Sequence, residues 1–125
     1  MIIGYKERFA FSLGKQLNEE QRVVDIFVRN LHLTDFDNLV YIPQFIATIQ
    51  DDIELIESKK IPKEYSALFW GPTTDDVSCR LTIRNSEDIQ LHCKHRSGRK
   101  VTLNIKTIEL VELYKNCIYE LTNAT

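Results

Sequence analysis

The sequence predicts an α+β fold: a mostly antiparallel sheet of about five to six strands with two helices packed on one face. Three observations predict it. The last third alternates apolar and polar residues with a period of two, the middle repeats apolar residues at helical spacing, and the final segment does so again. Successive strand side chains point to opposite faces, whereas helical ones return to the same face after three or four residues. Strands, a helix, strands and a helix in that order describe helices covering an antiparallel sheet. At 125 residues, 43% hydrophobic and 27% charged, the chain suits one domain spanning 1–125.

The first strand is expected where Ile3, Tyr5, Phe9, Phe11 and Leu13 share one parity. Gln16 to Arg22 is polar and reads as a loop. Val23 to Val28 is β-branched and aromatic, a second strand, and Arg29-Asn30 then fits a two-residue hairpin turn because Asn tolerates positive φ. A helix should begin at Pro43, whose preset φ suits the first helical position. Phe45, Ile46, Ile49, Ile53 and Ile56 give it one apolar stripe, and Lys59 and Lys60 complement its dipole at the far end. Pro62 marks the exit, followed by a short strand over Tyr65 to Phe69 and a turn through 70–76.

The closing meander is the clearest pattern. Val77, Cys79, Leu81, Ile83, Ile89, Leu91, Cys93, Val101, Leu103 and Ile105 fall on a buried face. Arg80, Thr82, Arg84, Gln90, His92, Lys94, Arg96, Thr102, Asn104 and Lys106 fall on a wet one. A final helix, capped by Thr107, should bury Leu110, Leu113, Tyr114, Cys117, Ile118 and Leu121 and expose Glu109, Glu112 and Asn116.

Charge and composition narrow the function classes. A net charge of −2 names no partner and disfavours general nucleic-acid binding, which usually draws on a basic excess. No apolar run approaches the ~20 residues of a membrane span, and no secretory leader is expected. Cys79, Cys93 and Cys117 have no metal-binding spacing and read as free buried thiols of a cytoplasmic protein. His92 and His95 have opposite strand parity, so no metal site and no cofactor are expected. Ser78 and His92 could face each other on the wet side, but no nucleophile, base and pocket converge, so catalysis is not expected.

Two surfaces stand out. The wet sheet face carries Arg80, Arg84, Lys94, Arg96 and Lys106, which could meet a phosphate backbone, although the aromatics needed for base stacking lie elsewhere. The first helix carries Asp51, Asp52, Glu54 and Glu57 and no basic residue between Pro43 and Ser58. Carboxylates late in a helix oppose its dipole at a cost of a few tenths of a kcal/mol each. An acidic ridge for a basic partner is the functional reading, continued by Asp75 and Asp76 beside Trp70, a residue type enriched at binding hot spots.

With its N-terminal hairpin ending in DIFVRNLHL, the segment DNLVYIPQFIATIQDDIELIE, and FWGPTTDD before a meander and closing helix, the chain resembles a known group. It is similar to the small cytoplasmic immunity proteins of contact-dependent growth inhibition and related polymorphic toxin systems. The resemblance implies a non-enzyme that binds and neutralises the C-terminal domain of a cognate toxin, often a nuclease, by blocking its active site or substrate surface. It carries over no catalytic residues. The resulting expectation is a monomer or weak homodimer that binds through Asp51, Asp52, Glu54, Glu57, Trp70, Asp75 and Asp76, with no membrane. A nucleic-acid-binding module using the basic sheet face is the alternative.

Overall fold

The computed structural model describes residues 1–35, 37–62, 65, 67 and 77–123. Among these, eight strands and two helices run in the order β1 (Ile2–Tyr5), β2 (Phe9–Gln16), β3 (Gln21–Val28), β4 (Leu31–His32), β5 (Leu39–Tyr41), α1 (Ile42–Ser58), β6 (Val77–Ile83), β7 (Asp88–His95), β8 (Lys100–Lys106) and α2 (Thr107–Asn123). The architecture is α+β, as expected, and every described strand pairing is antiparallel. The strands form two sheets. One has the order β1-β2-β3-β4 with β5 also paired to β3, and the other is the meander β6-β7-β8.

Local chemistry explains most boundaries. The single first strand expected over Ile3 to Leu13 is a hairpin instead, turning between Tyr5 and Phe9, and Tyr5 is exposed. Gly4 permits that turn. It sits at φ 92°, and a Cβ there would collide with the Phe9 carbonyl oxygen. The loop expected over Gln16 to Arg22 is shorter, because β2 runs to Gln16 and β3 starts at Gln21. Arg29 and Asn30 adopt φ 48° and 67°, both left-handed, as a twisted two-residue hairpin turn requires.

Helix α1 has Pro43 in its first turn and ends at Lys59, which is left-handed (φ 58°) and donates its N–H to the Ile56 carbonyl. The last turn itself contains no basic residue, so Lys59 and Lys60 lie just beyond it. Helix α2 follows β8 without a break. Thr107 is its first residue, and the Thr107 N–H donates to Glu87 O at 2.8 Å. Of the strand expected over Tyr65 to Phe69, only Tyr65 and Ala67 are described, and neither is in a strand. The turn expected through 70–76 lies outside the described residues.

One hydrophobic core joins both sheets and both helices. Phe9, Phe11, Phe45 and Tyr114 meet at its centre, with ring centroids 5.2 to 6.3 Å apart in edge-on and tilted pairs. α1 packs on α2, and α2 also touches β1 and β8. Polar ties reinforce the assembly. Arg8 in the β1–β2 turn forms a two-pronged pair with Glu109 of α2 at 2.6 and 2.8 Å. From the β3–β4 turn, Arg29 donates to the Thr102 carbonyl of β8 at 3.3 Å. No described helix is long and apolar enough to cross a membrane.

Candidate functional site

Helix α1 divides its four carboxylates between two environments. Asp51, Glu54 and Glu57 are exposed and follow one another at intervals of three, so they line one side of the outer face. Asp52 is fully buried. Its expected place among the contact residues is therefore corrected: Asp52 lies three residues from Ile49 and four from Ile56, inside the apolar stripe. There its Oδ2 accepts the Tyr114 hydroxyl at 3.0 Å, and its Oδ1 accepts the Tyr65 hydroxyl in a short bond. Burial together with this carboxylate pushes both phenols above their ordinary pKa. Trp70, Asp75 and Asp76 lie outside the described residues.

Beyond Glu57 the acidic face opens into a groove of about 720 Å³ between the end of α1 and the start of α2. Ile108, Val111, Glu112 and Lys115 of α2 line it, with Glu87 and Lys106 at its edge. Ile108 is 72% exposed, the most exposed large apolar side chain described. Lys115 approaches Glu57 only to 3.9 Å, with both side chains more than half exposed. An apolar anchor ringed by charge is the composition of a protein-binding patch. Ile108 was missed in the sequence because it follows Thr107 at an assumed helix start, where exposure could not be assigned.

The meander presents the opposite sign. Its register aligns Ser78, Lys94 and Lys100 in one row and Arg80, His92 and Thr102 in the next. Ser78 therefore faces Lys94 and not His92. These six side chains surround a shallow hollow of about 500 Å³ on the solvent face. Arg80, Lys94 and Lys100 are exposed, and no carboxylate among the described residues lines the hollow. Burial and the charge of Arg80 lower the pKa of His92. Lys100 escaped notice in the sequence, although it shares the parity of Thr102, Asn104 and Lys106.

The opposite face of this sheet holds Cys79 and Cys93 directly across from each other, sulfur to sulfur at 3.4 Å. Both are buried, and burial also drives the Cys117 thiol up to about 12. Cys79, raised by its contact with Cys93 and by burial, and Cys117 are thereby held as thiols at neutral pH.

His95 is buried and bridges two elements. Its Nε2 contacts Asp35 at 2.6 Å and its Nδ1 contacts Ser97 Oγ at 2.8 Å. Such a Ser-His-Asp set invites comparison with a hydrolase, but the ring is reversed relative to that arrangement. The Ser97 N–H also donates to Nδ1 at 3.1 Å, so Nε2 carries the proton toward Asp35. Ser97 Oγ in turn accepts the Arg99 N–H at 3.3 Å. The set fastens the β7–β8 turn to the loop after β4. A second polar knot gathers His32, Thr34 and Asn38 on Asp25 Oδ1 at 2.7 to 3.1 Å. No cluster of three or more metal-ligating side chains occurs among the described residues.

Comparison with known proteins gives no match to a family model, to a curated protein or to a solved structure.

Proposed function

We propose that this chain is a cytoplasmic immunity protein that neutralises a cognate toxin domain by stoichiometric binding, without catalysis of its own. The exposed carboxylates Asp51, Glu54 and Glu57 carry the reading. They stand at the C-terminal half of α1, where the dipole is already negative and the last turn supplies no basic residue. That placement disfavours the helix slightly and builds a concentrated negative surface. A nuclease toxin needs a positive groove for phosphates, and carboxylates on a rigid helix complement such a groove. The adjoining Ile108 supplies an apolar anchor beside the charge. Complementary charge raises association rates and selects the partner more than it adds affinity.

The test pairs the protein with toxin C-terminal domains encoded beside its gene and follows association by stopped-flow. Asp51→Lys with Glu54→Lys should slow association and flatten its salt dependence. Ile108→Ala should instead accelerate dissociation, at a cost of about 1–2 kcal/mol for an interfacial anchor. Unchanged rates in both variants remove this surface as the contact. Failure of every neighbouring toxin domain to be bound or neutralised removes the function itself.

A further inference from the structure

The near-neutral net charge conceals a segregation. Residues 77–106 carry seven Lys or Arg and two carboxylates, whereas the rest of the chain carries nine and sixteen. One of the two carboxylates, Asp88, is engaged by Lys106 at 3.0 Å, and Glu87 lies 3.9 Å from the same lysine. Both sit at the far end of the meander from Lys94 and Lys100. Arg80, Lys94 and Lys100 form no ion pair among the described residues, although each stands on a different strand of the same small sheet. Three like charges within the ~10 Å width of three strands repel one another. Nothing in the core requires them there.

We propose that the hollow on the solvent face of β6-β7-β8 is a binding site for the phosphate backbone of a double-stranded nucleic acid. Arg80, Lys94 and Lys100 neutralise phosphates, and the Ser78 and Thr102 hydroxyls donate to phosphate oxygens between them. Hydroxyl and cationic donors together are the usual complement of backbone contacts. Two further observations select this occupant. Among the described residues the lining contains no Phe, Tyr or Trp, and so offers no stacking platform of the kind that single-strand binders use. Nor does it contain an exposed apolar anchor, unlike the groove at Ile108, so a protein partner has no hot spot to bury. Binding here is sequence-blind and weak, in the range of about 10⁻⁴–10⁻⁶ M for backbone contacts at physiological salt.

This site lies on a different surface from the acidic helix, so the two proposals fail separately. Fluorescence anisotropy with short DNA and RNA duplexes, single strands and polyglutamate provides the test. Three phosphate contacts give a slope near −2.7 for log K against log salt, or about 40-fold weakening between about 50 and 200 mM. Lys94→Glu with Lys100→Glu should weaken duplex binding by about tenfold or more. Lys15→Glu, an exposed charge on the other sheet, should leave it unchanged. All three side chains are exposed, and thermal melts of the variants should match the parent. A phosphate seated beside His92 also favours the imidazolium, so His92 titrates at higher pH in the duplex complex, followed by NMR. Absent duplex binding at low salt overturns the proposal, as does indifference to the Lys94 and Lys100 changes. Equal binding of polyglutamate, tighter binding of single strands, or an unmoved His92 titration in the saturated complex overturns it too.

Discussion

The outer face of α1 and the outer face of the meander are built on the same principle and carry opposite charge. Each stands on a rigid element whose other side is sealed in the core: Phe45, Ile49, Ile53 and Ile56 behind the helix, Cys79, Leu81, Leu91 and Leu103 behind the sheet. Each therefore holds its charges at fixed spacing. The difference lies in how they are neutralised. Glu57 has a cation at 3.9 Å in Lys115, and Lys106 is paired at the margin of the sheet. At the centres of both faces, Asp51, Glu54, Arg80 and Lys94 form no ion pair among the described residues. A modest net charge can thus combine two strong local fields of opposite sign, and a sequence total does not report either.

The sharpest way to break the comparison is to exchange neighbours on α1. Asp52→Ala should cost about 2–5 kcal/mol by urea unfolding, because the fully buried Tyr114 hydroxyl and the partly buried Tyr65 hydroxyl both lose their acceptor. Asp51→Ala, one residue away and exposed, should stay within about 0.5 kcal/mol of the parent. Similar losses for both would mean that the helix is rotated from the orientation described.

Acid offers a second, smaller probe of the polar ties around the core. Asp35, held low by His95, Asp88, held low by Asn85 and Lys106, and Glu109, held low by Arg8, all ionise more readily folded than unfolded. The unfolded chain binds more protons as pH falls through the ordinary carboxylate range near 4. Stability from these groups is therefore complete above that range and lost below it. Arg8→Met should flatten the acid limb of a stability–pH profile by removing the Glu109 contribution. The three carboxylates are each about a third or more exposed to solvent, and each effect is correspondingly modest.

The smallest expected effect is the most informative about purpose. Asp51→Lys with Glu54→Lys should leave unfolding stability unchanged or raise it by a few tenths of a kcal/mol, since positive charge suits the C-terminal half of a helix. A clear loss of stability would mean that the carboxylates serve the fold, and the case for an interaction surface would weaken.

Legibility in the sequence followed the regularity of the local signal. The meander's alternation separated the two faces of β6, β7 and β8, because a period of two leaves little ambiguity once one face is buried; Ile83, expected on the buried face, is instead exposed at the end of β6. The Arg29-Asn30 turn and the two helices were equally visible. What escaped was tertiary. The hairpin break between β1 and β2 depends on Gly4 at positive φ, and the parity of Ile3 to Leu13 runs straight across it. Division of the strands into two sheets depends on which edges meet, for which the pattern has no term. Asp52 was misplaced because its charge outweighed its position, although its spacing from Ile49 and Ile56 put it on the apolar stripe. Its phenol partners come from 13 and 62 residues away, beyond any local reading.

The carbonyl of Cys79 points away from β7 and accepts the Ala67 N–H at 2.7 Å, while the outward Thr102 carbonyl of β8 accepts Arg29. One carbonyl on each margin of the three-stranded meander is thus occupied by the chain's own groups. A foreign strand cannot zip along either margin without first displacing them, which guards against templated aggregation and stacking of copies. Recognition at this end of the molecule is accordingly biased toward side chains over shared backbone ladders.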